Sequence, residues 1–133
     1  MRLIIDNNIL FSLLKPDSFN SYLFDTFIVG CYAPKFILDE FKNHEDECRL
    51  KSKLSKDDFE KQKQKVIDRI TILEVINKEF LLKAENSCSD EDDEPYIALG
   101  LQLNMSIWSN NKHLKEQNLV DVFTTADLVK LLN

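Results

Sequence analysis

Three acidic side chains stand at the edges of apolar runs: Asp6, Glu40 and Asp93. Asp6 closes the run Leu3-Ile4-Ile5, Glu40 lies beside the stripe set by Ile37 and Phe41, and Asp93 stands just before Pro95 at a helix start. A carboxylate held against apolar surroundings is costly unless a cation compensates it. Separated carboxylates offering only oxygen suit a hard divalent ion, Mg²⁺ or Mn²⁺. Each acid also has a plain structural use. An Asp at position 6 would cap a helix whether or not it does chemistry, and a lysine would neutralise Glu40 as well as an ion does. Asp93 shares an acidic run with Asp90, Glu91, Asp92 and Glu94, where a solvated loop is the default. Asp39, about 100° round the helix from Glu40, is expected to face solvent.

Other chemistries find little support. His44 and His113 have no partners at zinc-ligand spacing, and no Ser-His-acid or Cys-His pattern occurs. The only glycines are Gly30 and Gly100, too few for a phosphate-cradling loop. A phosphotransferase with Asp6 as nucleophile would need a second acid two residues on, where Asn8 stands. Cys31, Cys48 and Cys88 are an odd set without CxxC spacing. No export signal is read at the start, where only three apolar residues separate Arg2 from Asp6, so reduced thiols in a cytoplasm are expected.

The elements that must position these acids alternate between strand and helix. Leu3–Ile5 reads as a buried strand feeding a helix at Asp6-Asn7-Asn8. A second helix opens at Asp17-Ser18 with Phe19, Leu23, Phe24 and Phe27 on one face, and Gly30 breaks it before the strand Cys31-Tyr32-Ala33. Pro34 suits the first turn of the helix carrying Glu40. A charged helix follows from Ser55 to about Arg69, then the β-branched strand Ile70–Ile76 and a helix near Lys78–Ala84. Pro95–Leu103 has helical spacing, Met105–Trp108 and Val120–Phe123 read as short strands around a turn of helix at Lys112–Glu116, and Thr124-Thr125 caps a closing helix. Alternation of this kind implies a three-layer α/β/α sandwich with a central parallel sheet of four to five strands. In such sheets ligands bind beyond the carboxyl ends of the strands, the end to which Asp6 and Ser109-Asn110-Asn111 belong.

Length and charge set bounds. The 133 residues fit a single domain, 44% hydrophobic and 30% charged as ordinary globular proteins are. No apolar run approaches the ~20 residues of a membrane span. A net charge of −6 argues against a general nucleic-acid coating protein. The charge is uneven, however: nine of seventeen Lys and Arg fall between Lys42 and Arg69, and six of the ten residues from Glu85 to Glu94 are acidic. A basic arm beside an acidic pocket suits an enzyme that holds phosphates with one and metal ions with the other; a solvated helix and a solvated loop give the same pattern.

The chain resembles the PIN-domain family over nearly its whole length. LIIDNNILFSLL looks like that family's strand, first acid and helix, with Asp6 as the acid and Asn8 as the accompanying polar residue. APKFILDEF is similar to the second-acid helix and places that acid at Glu40. DEDDEPYIALGLQLNMSIWSNNKHL resembles the third-acid segment and following strand, with Asp93 as the acid, and VDVFTTADLVKLL looks like the closing strand and helix. One departure is plain: the usual fourth acid, in a Ser/Thr-x-Asp setting, falls on Asn111, which removes a negative charge.

The resemblance implies one PIN-like unit over residues 1–133, with a charged helical segment at 42–70 inserted after the second-acid helix. It implies a metal-dependent endoribonuclease in which Asp6, Glu40 and Asp93 hold Mg²⁺ or Mn²⁺ to activate water and neutralise charge at phosphorus. Asn8, Ser109, Asn111 and Asp90 would orient ligands or water around that ion, and Lys42, Arg49, Lys51 and Lys53 would grip the RNA backbone. It further implies a VapC-like toxin silenced by a small antitoxin, a homodimer, and a protein that engages neither membrane nor DNA. The alternative is a PIN-like module that binds RNA or a protein without cutting, which Asn111 favours.

Overall fold

The computed structural model describes all 133 residues. Five short strands form one wholly parallel sheet: β1 (Arg2–Ile5), β2 (Gly30–Pro34), β3 (Ile70–Leu73), β4 (Ile107–Trp108) and β5 (Val122–Phe123), in the order β3-β2-β1-β4-β5. The connections carry α1 (Asn7–Leu13), α2 (Phe19–Phe27), α3 (Phe36–Ser52), α4 (Lys56–Ile67), α5 (Lys78–Ser87), α6 (Glu94–Leu103), α7 (Lys112–Lys115) and α8 (Thr125–Leu132). A 3₁₀ turn at Glu91–Asp93 leads into α6. This is the three-layer α/β/α sandwich with its parallel sheet at the upper end of the expected strand count.

Parallel strands covered on both faces must be apolar throughout. Leu3, Ile4, Ile5, Ile107 and Trp108 are accordingly buried, within one continuous core that also takes Leu10 and Leu13 of α1 and Ile97 and Leu99 of α6. Gly100 marks a tight contact in that core: a Cβ there would come within 2.7 Å of a Val120 methyl. Side-chain caps start α1 (Asp6), α2 (Ser18), α4 (Ser55), α5 (Asn77), α7 (Asn111) and α8 (Thr124, in a reciprocal capping box with Asp127).

Several boundaries differ from the sequence expectations, each for a local reason. Pro34 does not open a helix; it ends β2 opposite Leu73, and α3 starts without a side-chain cap. Lys35 N–H donates to Leu73 C=O, so the alternate N–H that Pro34 lacks would face β1 beyond the last β1–β2 pair, Ile4–Tyr32. With β2 ended there, β3 has nothing further to pair with and stops at Leu73 instead of Ile76. The last strand starts at Val122 because the Gln117 side chain already accepts from the Leu119 and Val120 N–H groups. In α2, Phe19 lies outside the buried face, which is Ser21, Leu23 and Phe24. Finally, α3 runs unbroken to Ser52, so the first part of the charged segment continues the Glu40 helix and only α4 is a separate element.

Candidate active site

The sheet reverses direction of growth at β1: β2 is added on one side and β4 on the other. A crevice forms beyond the carboxyl ends of two such strands, because their following segments turn to opposite faces. Asp6 follows β1 and Ser109 follows β4, so both sit at this reversal. Asp6 is 3% exposed. Its Oδ1 accepts from the Ile9 N–H at 2.9 Å as the cap of α1, and its Oδ2 accepts from the fully buried Ser109 hydroxyl. Ser109 Oγ in turn accepts from the Asn111 N–H at 3.0 Å, while Asn111 Oδ1 accepts from the His113 N–H and starts α7. One chain of hydrogen bonds thus fixes the acid after β1 to the loop after β4.

Glu40 approaches from α3. It is half-buried, and its Oε1 accepts from the Tyr96 hydroxyl, a group on α6. Asp93 is buried at the foot of α6, the only one of the crowded acids turned inward; Asp90, Glu91 and Asp92 are exposed. Pro95 at the head of α6 and the preceding 3₁₀ turn produce that geometry, with Asp90 Oδ1 capping the turn at the Asp92 N–H.

Electrostatics tie the three acids together. Burial raises the Asp6 carboxyl above its ordinary range despite the Ser109 and Ile9 hydrogen bonds. Glu40 is pushed up to about 7, first by burial and then by repulsion from Asp92, Asp6 and Asp93, with the Tyr96 hydrogen bond opposing. Asp93 is pushed up to about 6 by burial and by repulsion from Asp90, Asp6 and Asp92, with His113 opposing. Tyr96 is raised by burial beside the Glu40 carboxylate and remains a phenol donor. Carboxylates from three elements therefore share one field of negative charge with little to offset it.

A hard divalent cation fits this donor set, which is all oxygen and carries uncompensated negative charge. Direct chelation by three side chains at once does not: no three Asp, Glu, His or Cys side chains gather closely enough to hold one ion.

The remaining expected residues are spread more widely. Asn8 is exposed in the first turn of α1, and Asp90 acts on Asp93 by charge. Lys42, Arg49, Lys51 and Lys53 all lie on α3 or its end, where Lys53 takes a left-handed conformation. Lys51 pairs with Glu47 at 2.8 Å, while Lys42, Arg49 and Lys53 make no ion pair. Further along, the basic run turns structural. Lys63 binds Glu45 and Glu60, and Arg69 donates to the Phe24 and Ile28 carbonyls and lies 3.9 Å over the Phe24 ring. The Tyr96–Glu40 bond and the influence of His113 on Asp93 were not foreseen from the sequence. Both join residues far apart in the chain, so no local pattern signals them.

Comparison with known proteins agrees with this architecture. A family model described as PIN domain matches residues 4–125. No curated protein matches. Among solved structures, the chain is similar to the crystal structure of VapBC2 from Rickettsia felis bound to a DNA fragment from their promoter. The TM-score is 0.66 at 13% identity, covering 93% of this chain and 98% of that one. A DNA fragment is present in that complex, so the expectation that DNA plays no part finds no support there.

Proposed function

The chain belongs to the PIN-domain family, and from that premise we propose that it is a divalent-metal-dependent endoribonuclease using Mg²⁺ or Mn²⁺. What supports this reading is the place of Asp6 and Ser109 at the reversal of the sheet, with Glu40 and Asp93 near enough for their carboxyls to feel the charge of Asp6, though the three do not close on a single ion. Titratable groups perturbed in this way at a strand-end crevice are candidates for a functional site.

When bound there, the ion supplies water activation and charge neutralisation at phosphorus. The chain's own groups supply position. Ser109 and the Ile9 N–H hold both Asp6 oxygens. Tyr96 fixes one Glu40 oxygen and leaves the other free. Residues 1–133 act as one PIN-like unit, with Lys42, Arg49, Lys51 and Lys53 gripping RNA phosphates.

Titration with Mn²⁺ and a cleavage assay on RNA test the reading: wild type cuts only with the ion, and Asp6→Asn does not cut. Asn111 supports a second reading, a PIN-like module that binds RNA or protein without cutting; equal metal-independent background in both proteins would select it. We further propose a toxin paired with a small antitoxin and acting as a homodimer in the cytoplasm. The family membership and the toxin–antitoxin pair in the similar fold motivate this. Growth arrest on expression, absent for Asp6→Asn, is its signature, and sedimentation reads the dimer. No helix is long and apolar enough to cross a membrane.

A further inference from the structure

A cleft of about 500 Å³ opens between α1 and α3, starting at the residue after Asp6. Its volume falls within the ~300–1,000 Å³ typical of small-ligand sites. We infer that this cleft is a nucleotide subsite: it seats one base of the RNA next to the cut and thereby sets a sequence preference. This rests on the reading that the chain acts on RNA, and it adds a place where a base is read.

The lining has the parts such a subsite needs. Phe11 and His44 meet edge to face, with ring centroids 5.8 Å apart and planes at 60°. Two rings so arranged present a corner against which a base can stack, the usual way a single-stranded base is held. Asn7 and Asn8 line the end nearest Asp6. The side-chain hydrogen bonds of that turn are Ile9 N–H to Asp6 and Ser12 hydroxyl to the Ile9 carbonyl. Neither amide takes part in them, which leaves a donor and an acceptor on each for a base edge.

Charge completes the site. Lys15 and Lys51 stand in the lining and supply cations for flanking phosphates. Glu47 lies 2.8 Å from Lys51 and 3.5 Å from His44 Nδ1 at the exposed edge, so an entering phosphate competes with it for Lys51 while Lys15 makes no ion pair. A helical protein partner suits the cleft poorly, because only Phe11 and Cys48 of its lining are apolar and helix docking relies on an apolar groove.

The test uses the whole chain in EDTA, so that no cleavage is needed. Backbone amide NMR shifts are followed on titration with each of the four ribonucleoside 5′-monophosphates, and with inorganic phosphate alone. Expected are shifts at Asn7, Asn8, Phe11, Ser12 and His44 that differ among the four bases. His44→Ala or Lys15→Glu, both at the solvent edge, should weaken binding about tenfold. With Mn²⁺, the same variants should flatten the sequence preference of the cut sites. Shifts confined to other surfaces, equal shifts with phosphate alone, or no response to any nucleotide overturn the subsite, the last leaving the cleft to a protein partner. Cleavage that persists through such a result leaves the nuclease reading standing. Nucleotide binding in the cleft without any metal-dependent cutting removes that reading and keeps the subsite.

Discussion

The Ser109 hydroxyl donates to Asp6 across 103 residues of sequence, joining the ends of β1 and β4 where the sheet reverses. Both partners are buried, and Ser109 Oγ also accepts the Asn111 N–H. Ser109→Ala therefore removes a hydrogen bond to a charged group and orphans a second donor. The expected cost is about 1.5–3 kcal/mol in urea unfolding. Mn²⁺ affinity should fall roughly 10–100-fold, as it does when the partner of a metal ligand is lost. Unchanged affinity in a folded variant would argue that Asp6 needs no such support.

Asp6→Asn separates chemistry from folding. Asn caps a helix as well as Asp does, so the bond from the Ile9 N–H persists. Removing the charge also relieves repulsion on Glu40 and Asp93. That relief is set against the Ser109 hydroxyl, which loses its carboxylate acceptor. The variant should therefore melt within a few degrees of wild type while losing metal-dependent cleavage by more than the roughly 100-fold worth of a supporting residue. A clear drop in melting temperature with cutting retained would reduce Asp6 to a structural cap.

The raised carboxyls set a pH dependence of stability. Glu40 and Asp93 titrate near 7 and 6 in the folded chain, against roughly 4 when unfolded. Between those values the folded protein holds protons that the unfolded chain has released, so stability falls as pH rises from about 4 to 7. A divalent ion competes with those protons. Without metal, the melting temperature should therefore drop between pH 5 and pH 8, after allowance for other groups by comparison with Glu40→Gln. Mn²⁺ should restore it at pH 8 and do little at pH 5. A metal effect equal at both values would place the ion elsewhere.

Asn111→Asp adds the acid that this chain lacks. The side chain caps α7 through Oδ1 at the His113 N–H, a bond Asp makes equally well. Its extra charge should tighten Mn²⁺ binding in calorimetry and raise the cutting rate, while lowering metal-free stability at neutral pH. No gain in either would show that the position lies beyond reach of the ion.

How much of this was legible in the sequence depended on range. Asp6 could be read because one local pattern, an apolar strand ending in Asp, specifies both strand end and cap. Asp93 could be singled out from its acidic neighbours because Pro95 marks a helix start. The alternation of strand and helix likewise gave the layer order. Features that depend on a partner strand were not legible. Pro34 has the local signature of a helix start, but its outcome is decided by Leu73 pairing beside it and by β1 ending before it. The Glu40–Tyr96 bond exists only once α3 packs by α6, and the Ser109–Asp6 bond only once β1 pairs with β4. The basic run looked uniform as sequence, yet Arg69 and Lys63 are bound inside the fold while Lys42 and Arg49 are free of ion pairs.

Thr125 holds the loop after β4 from the other side. Its hydroxyl oxygen accepts from Trp108 Nε1 and Asn110 Nδ2, each at 3.1 Å, and donates to Asn20 Oδ1 at 2.9 Å. Its N–H donates to Asn110 Oδ1 at 2.8 Å. Asn20 passes the connection on to Ser12 of α1. Asn110 lies between Ser109 and Asn111, so this hydroxyl ties the segment that supports Asp6 to α1, α2 and α8 at once. Thr125→Val keeps the shape but removes the oxygen, leaving three polar groups without their partner. Unfolding experiments should show a loss of about 1–3 kcal/mol. Thr125→Ser should recover most of it, because the hydroxyl and not the methyl makes the contacts. If the loop's position matters to the site, Val at 125 also weakens Mn²⁺ binding and Ser restores it. Loss of stability with unchanged metal affinity would confine Thr125 to the scaffold.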